Sequence, residues 1–192
     1  MKVVCLQGSP RVNGNSAIVA NRFCATAQKL GAEVATFTLN DLNYRGCQGC
    51  MACKTKLDRC ALEDDLTEVL EAVRGTDVLV LASPVYYWDV SSQMKAFLDR
   101  TFSFLVPDFI TNPLKSRLEP GKKLVLILAQ NNPDLNSFSN IFPKFDYFFR
   151  AYGFTDTRLI RAFGVGAPGE VESHADVMSL AEKTAKEICS GN

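Results

Sequence analysis

Short runs of apolar residues alternate with amphipathic stretches along most of the chain. The runs 3–6, 78–82 and 124–128 are continuously apolar, which is typical of strands buried on both faces of a sheet. Segment 33–39 alternates between apolar and polar residues, as an edge strand does, and 157–163 is a weaker fifth candidate. The pattern therefore predicts five strands.

Between these strands the apolar positions recur at helical spacing. The first helix is expected to follow a polar loop that ends at residue 16 and to run to residue 30. Three more are expected over about 64–74, 91–101 and 139–152, and a last helix carries an apolar stripe from Val177 to Ile188. Alternating strands and helices predict an α/β fold, a three-layer sandwich with a five-stranded parallel sheet and right-handed crossovers. The common strand order is 2-1-3-4-5, with ligands beyond the carboxyl ends of strands one and three.

The loop after the first strand has the composition of an anion site. Residues 8–16 read Gly-Ser-Pro-Arg-Val-Asn-Gly-Asn-Ser, and the helix that follows presents unpaired N–H groups and partial positive charge. The loop lacks the Walker A and Gly-x-Gly-x-x-Gly patterns, so it predicts a site for one terminal phosphate, with an ordinary helix-capping turn as the alternative. Its candidate ligands are Ser9, Arg11, Asn13, Gly14, Asn15 and Ser16.

Two blocks of the sequence carry a resemblance to a known family. The loop at 8–16 resembles the phosphate loop of the NADPH-dependent FMN reductase-like flavoproteins, which have a flavodoxin-like fold. A second block, Ser-Pro-Val-Tyr-Tyr-Trp at 83–88 with Lys-Ala-Phe-Leu-Asp-Arg at 95–100, resembles that family's flavin-ring loop and the helix behind it. The resemblance implies bound FMN, NAD(P)H as co-substrate, and a homodimer or homotetramer.

The aromatic loop at 84–88 is then the expected wall for the flavin ring. Pro84 makes it rigid, and the backbone of Val85, Tyr86 and Tyr87 is expected to meet the polar edge of the ring. The aromatic side chains, including Trp88, suit either stacking on a ring or packing against a second subunit. In the helix behind, residues 94, 97 and 98 are expected in the core and residues 95 and 100 on the surface.

Four of the seven cysteines lie close together in a long predicted connection, 40–62. Their Cys-x2-Cys-x2-Cys spacing is that of bacterial ferredoxin ligands, and it resembles the compact cysteine motif of iron–sulfur flavoproteins. A [4Fe–4S] cluster is the first interpretation; tetrahedral zinc and free thiols remain alternatives. The predicted metal ligands are Cys47, Cys50, Cys53 and Cys60, and their loop is expected at the same sheet edge as the phosphate loop.

The bulk composition narrows the classes of partner. The chain has 192 residues with 21 basic and 21 acidic side chains, which suits one domain over 1–192 and argues against nucleic-acid or anionic-membrane partners. The apolar runs are too short to span a bilayer and no secretion signal is recognisable, so a cytoplasmic protein is expected. Cys5, Cys24 and Cys189 stand alone and are expected as small buried hydrophobes.

No catalytic acid–base constellation is recognisable, and no catalytic side chain is predicted, because a flavin carries the electron chemistry itself. The sequence therefore predicts an FMN-dependent oxidoreductase that takes hydride from NAD(P)H and passes electrons to a flavin, a quinone or another small molecule. The alternative is an iron–sulfur flavoprotein that transfers electrons between redox partners. A third hypothesis is a binding module with a structural zinc.

Overall fold

The computed structural model describes residues 1–189 and centres on a parallel β-sheet. The strands are β1 (Lys2–Gln7), β2 (Glu33–Thr38), β3 (Val78–Tyr86), β4 (Asp89–Val90), β5 (Lys122–Ala129) and β6 (Phe154–Ala162). The α-helices are α1 (Asn15–Lys29), α2 (Ala52–Thr55), α3 (Leu66–Arg74), α4 (Ser92–Arg100), α5 (Ile141–Ala151) and α6 (Ala175–Cys189).

The five long strands pair in parallel and lie in the order β2-β1-β3-β5-β6. When the short strand β4 is left out and the long strands are counted one to five, this is the predicted order 2-1-3-4-5. The flavodoxin-like α/β fold predicted from the sequence is therefore confirmed. The carboxyl ends of β1 and β3 lie side by side at the switch point, where ligands bind in sheets of this kind.

Two hydrophobic layers sandwich the sheet. On one face, Leu79 and Leu81 of β3 pack with the helices α3, α4 and α5. On the other face, Val78 and Val80 of the same strand pack with α1 and α6. Alternate residues of the central strands thus enter different cores, which explains why their sequences are continuously apolar. Cys5, Cys24 and Cys189 are buried in the second layer, as expected.

The aromatic loop is a β-hairpin, which sequence reasoning did not predict. Strand β3 continues through Pro84 to Tyr86 and turns back into β4, which pairs with it antiparallel. The two turn residues, Tyr87 and Trp88, have positive φ values of 45° and 67°. Such turns favour Asn-Gly, and bulky residues in this region cost about 1–3 kcal/mol each. The sequence therefore carried no signal for this turn.

Two contacts hold the strained hairpin in place. Asp89 of β4 forms an ion pair with Lys144 of α5. The Trp88 ring meets the Phe138 ring edge-on, with 5.9 Å between their centroids. The hairpin is therefore fastened to the loop and helix that follow β5.

Arg100 corrects a second expectation, because it is buried rather than on the surface. At the end of α4 it is 1% exposed, and its guanidinium bonds the Asp64 carboxylate and the carbonyls of Arg45 and Leu62. Lys95 stays on the surface, where it pairs with Asp99. Arg100 therefore ties both ends of the cysteine connection to the helix behind the hairpin.

Across residues 1–189, no helix combines the length and apolar character needed to cross a bilayer.

Replacing Asp64 with Asn should lower the free energy of unfolding by about 3 kcal/mol at pH 7, because Arg100 loses its counter-charge. Burial raises the pKa of Asp64, but hydrogen bonds from Arg100 and the Arg45 backbone outweigh it, and the net pKa lies below its usual value. The stabilisation is therefore full above about pH 4 and is lost as pH falls through the folded pKa.

Urea unfolding at pH 7 and pH 3 measures both effects, and the difference between wild type and Asp64→Asn should shrink at the lower pH. Asp99→Asn is the matched control, since its half-exposed pair with Lys95 contributes about 0.5 kcal/mol or less. If both variants lost the same free energy of unfolding, the buried Arg100–Asp64 pair would contribute no more than the half-exposed Lys95–Asp99 pair.

Candidate functional site

The phosphate loop and the aromatic hairpin line one cleft at the carboxyl edge of the sheet. All of the predicted cofactor-binding residues line it except Asn13 and Tyr87. The structure thus brings together two segments about 70 residues apart in sequence, as the fold requires. The lining residues are Ser9, Arg11, Gly14, Asn15, Ser16, Pro84, Val85, Tyr86, Ala129, Asn131, Val165 and Gly166.

Close packing gives the phosphate loop its shape. A Cβ atom on Gly14 would lie 2.3 Å from the Ser9 Oγ, so the turn has room only for glycine there. The backbone N–H of Gly8 donates to the Ala82 carbonyl of β3, and the Gly8 carbonyl accepts from the Ser91 hydroxyl at 2.6 Å. Because Ser91 also caps α4, the loop, β3 and α4 form one connected unit.

Ser16 contributes a buried hydroxyl group to the cleft. The residue is 1% exposed, and its Oγ has no hydrogen-bond partner within residues 1–189. A buried hydroxyl without a partner is destabilising, and such groups mark sites where an ion or ligand binds. With the free N–H groups at the start of α1, this hydroxyl fits a phosphate oxygen.

The segment after β6 closes the other side of the cleft. Arg11 Nη1 donates to the Gly166 carbonyl at 2.8 Å, and the Asn15 amide donates to the Ala167 carbonyl and accepts from the Val171 N–H. Asn15, predicted as a ligand, therefore uses both amide atoms to position this segment.

Sequence reasoning missed four lining residues: Ala129, Asn131, Val165 and Gly166. A Cβ atom on Gly166 would lie 2.6 Å from Asn131 Oδ1, so the two loops touch closely. All four follow or end the strands β5 and β6. The rule that ligands bind beyond the carboxyl ends of parallel strands was the signal for them.

The aromatic side chains divide between the cleft and the solvent. Tyr86 lines the cleft, whereas Tyr87 is 94% and Trp88 68% exposed. Exposed aromatic surface of this kind is typical of protein interfaces. The predicted homodimer or homotetramer stays a prediction.

The four clustered cysteines line a second, separate cavity of about 60 Å³, together with Leu62, Arg100, Phe102 and Ser103 among others. Its lining and that of the cleft have no residue in common among the residues the structure describes. Arg100 ends α4, whereas the hairpin precedes it, and the nine residues of the helix span about 13 Å. The cysteine cavity thus includes the end of α4, whereas the cleft includes the hairpin that precedes this helix.

The cysteine loop contains two tight turns of the backbone. Gly49 and Met51 have positive φ values of 63° and 57°, and the Gly49 N–H lies 3.5 Å from Cys47 Sγ. In the described part of the chain the cysteines are free, and no three His, Cys, Asp or Glu side chains converge as a preformed metal site. Metal binding by Cys47, Cys50, Cys53 and Cys60 stays a prediction.

Lys54 lies under this loop as a buried cation. Its ammonium donates to the carbonyls of Phe102 and Leu105 at 2.6 and 2.8 Å, and it lies 3.7 Å from Cys53 Sγ. It also sits 4.1 Å from the centre of the Phe102 ring. Burial lowers the pKa of Lys54, and the neighbouring Cys53 opposes that shift.

The fold and the cleft together define an α/β protein with a ligand-sized cleft at the carboxyl edge of its parallel sheet. The model of the NADPH-dependent FMN reductase family matches residues 1–129. The chain belongs to this family, as the sequence motifs predicted.

Two relatives are similar to this chain in sequence, and a solved structure is similar to it in fold. The chain is 30% identical to an iron–sulfur flavoprotein of Archaeoglobus fulgidus over 89% of its length and 72% of that protein. It is 35% identical to an iron–sulfur flavoprotein of Methanocaldococcus jannaschii over 53% of its own length. The matched segment covers 52% of that relative, so the chain spans about half of the relative's length. Its fold is similar to an FMN-dependent NADH-azoreductase from Bacillus anthracis in complex with FMN, at 14% identity and a TM-score of 0.75, over 98% of this chain and 99% of that one.

Ser16→Ala should have opposite effects on the apoprotein and on ligand binding. Removing an unpartnered buried hydroxyl should leave the stability of the apoprotein unchanged or raise it by up to about 1 kcal/mol. The same change should weaken FMN binding by about 1.5–3 kcal/mol, because a hydrogen bond to the charged phosphate is lost. Urea unfolding without ligand and fluorescence titration with FMN measure the two effects.

Asn15→Ala is the contrasting variant, since it removes two bonds to the closing segment and should destabilise the apoprotein. A less stable Ser16→Ala apoprotein with unchanged FMN affinity would contradict the assignment of Ser16.

Proposed function

We propose that this protein is an FMN-dependent oxidoreductase, in which one domain over 1–192 binds FMN and uses NAD(P)H to reduce a small-molecule acceptor. The observation that carries the proposal is the single cleft formed by the phosphate loop and the aromatic hairpin. Family membership and the names of the relatives support it. FMN, when bound, supplies the redox chemistry, accepting electrons from the nicotinamide and passing them on.

The residues present fit FMN better than other nucleotides. Ser9, Arg11 and Ser16 offer two hydroxyls and one guanidinium at the start of α1, which suits one terminal phosphate. The backbone of Pro84, Val85 and Tyr86 forms the wall for the ring. The chain's own role in the reaction is to bind and orient the flavin, because the cleft lining contains no histidine, cysteine, lysine or carboxylate among the described residues.

A second candidate function is electron transfer as an iron–sulfur flavoprotein. The cavity that gathers Cys47, Cys50, Cys53 and Cys60 favours it, since four thiolates are the ligand set of a [4Fe–4S] cluster. The thiols would have to turn towards one another on binding, which a loop with left-handed residues at Gly49 and Met51 permits. A redox protein then joins the small-molecule acceptor as a class of partner.

The purified protein should bind one FMN per chain and should not bind FAD. Arg11→Ala should weaken FMN binding by about 1.5–3 kcal/mol, because it removes a charged donor from the phosphate. Arg11→Lys is the control: it keeps the charge and should lose less affinity. Fluorescence titration of the apoprotein measures both, and unchanged affinity in Arg11→Ala would remove Arg11 from the site.

After anaerobic purification, iron and sulfide should reach about four of each per chain, as a [4Fe–4S] cluster requires. Cys60→Ser should lower both and leave FMN content unchanged, because the cysteine cavity is separate from the cleft. Cys189→Ala, a buried cysteine of α6, is the matched control and should change neither.

Steady-state oxidation of NAD(P)H by the same samples separates the two functions. Stoichiometric FMN and NAD(P)H oxidation with neither iron nor zinc would identify a flavin reductase whose cysteines are not ligands.

A further inference from the structure

Two buried cations border the cavity that the four cysteines line. Arg100 is itself part of the cavity wall, and Lys54 lies 3.7 Å from the sulfur of Cys53. Cations are rarely buried unless they have a partner, since removing a charge from water is costly. The positive charge of these two side chains at a cavity lined by thiols therefore favours an anionic ligand in that cavity.

The hydrogen bonds of Arg100 use three of its five N–H donors among the described residues. Its Nη1 is bonded to the Asp64 carboxylate and the Arg45 carbonyl, and its Nη2 to the Leu62 carbonyl. Its Nε is buried and has no partner anywhere in the described chain. One N–H of Nη2 is also left over, and Arg100 is among the residues that line the cysteine cavity, so its guanidinium has donors available for an acceptor.

Lys54 supplies a further donor beside Cys53. Two of its three N–H groups are used by the carbonyls of Phe102 and Leu105. The third is directed to a cysteine sulfur, and Cys47 Sγ similarly faces the Gly49 N–H at 3.5 Å. Donors around cysteine sulfurs and nearby positive charge are the means by which proteins set the reduction potential of a cluster.

We propose that Lys54 and Arg100 are positioning residues for an iron–sulfur cluster in this cavity, donating N–H hydrogen bonds to its sulfurs and stabilising its reduced, more negative state. The inference rests on the cluster proposed above. It adds that these two side chains raise the reduction potential of the cluster and leave that of the flavin unchanged, because the flavin cleft has a separate lining.

The test uses full-length holoprotein with FMN bound, reconstituted anaerobically with ferrous iron and sulfide. Potentiometric titration follows the cluster by electron paramagnetic resonance and FMN by absorbance in the same sample. Lys54→Met should lower the cluster midpoint by about 59 mV or more, a tenfold shift for one electron, and leave the FMN midpoint unchanged. Lys54→Arg, which keeps the charge, should stay close to wild type.

Arg100→Lys tests the spare donor, because it keeps the positive charge but removes the Nε–H. The cluster midpoint should again fall, by less than in Lys54→Met. An unchanged midpoint in Lys54→Met or in Arg100→Lys would overturn the role of that residue.

Arg117→Lys is the matched structural control. Arg117 holds the same segment through the carbonyls of Cys53, Ser103 and Leu105 but contacts no cysteine sulfur. The cluster midpoint should not fall in Arg117→Lys. If the midpoint falls equally, or iron is lost equally, in Arg117→Lys and Lys54→Met, then Lys54 merely holds the loop and the proposal is overturned. Loss of iron in Lys54→Met alone, with recovery in Lys54→Arg, would support it.

Wild-type protein that takes up no iron and sulfide overturns this inference together with the cluster. The FMN content of that same sample decides the flavin reductase proposal separately.

Discussion

The pairing of β1 with β3 is the constraint on which the rest of the structure depends. Because the two strands pair in parallel and in register, their carboxyl ends lie side by side at one edge of the sheet. The phosphate loop and the aromatic hairpin emerge from those two ends. The Ser91 hydroxyl then bonds the Gly8 carbonyl and joins the two segments directly. Strand order thus places these two walls of the cleft, and the segments after β5 and β6 complete it.

A second feature of the molecule is that cationic side chains bond the backbone of the cysteine connection, which also packs on the core through Leu42, Tyr44 and Cys60. Arg100 and Lys54 bond backbone carbonyls from residues 45, 62, 102 and 105, and Arg117 adds a third set at 53, 103 and 105. A long irregular loop has many backbone groups without ladder partners, and fixed donors satisfy them at the cost of burying charge.

The sequence was sufficient for the fold because the buried strands are continuously apolar and the helices strongly amphipathic. It also identified the cleft, since Ser9, Arg11 and Ser16 occur in a loop whose place follows from strand order. Residues such as Asn131 and Gly166 were missed because their own sequence context is that of an ordinary turn. Only their place after β5 and β6 makes them part of the site.

Features that depend on tertiary contacts were not accessible in the same way. The spacing of Arg100 on α4 suggested the surface, yet its charge is satisfied by Asp64, which is 36 residues away. The turn at Tyr87 and Trp88 contradicts local propensity and persists through contacts with Phe138 and, beside it, the Asp89–Lys144 pair. In both cases long-range partners outweigh a local preference of a few kcal/mol, which no local pattern reveals.

Helix α4 connects the two candidate sites. At its start, Ser91 bonds the phosphate loop; at its end, Arg100 lines the cysteine cavity and fastens both flanks of the cysteine loop. A helix of nine residues with a buried stripe of Met94 and Phe97 is a rigid element, and its length of about 13 Å separates Ser91 from Arg100. The separation of the cleft and the cysteines is therefore built into the fold, although the two sites have no lining residue in common.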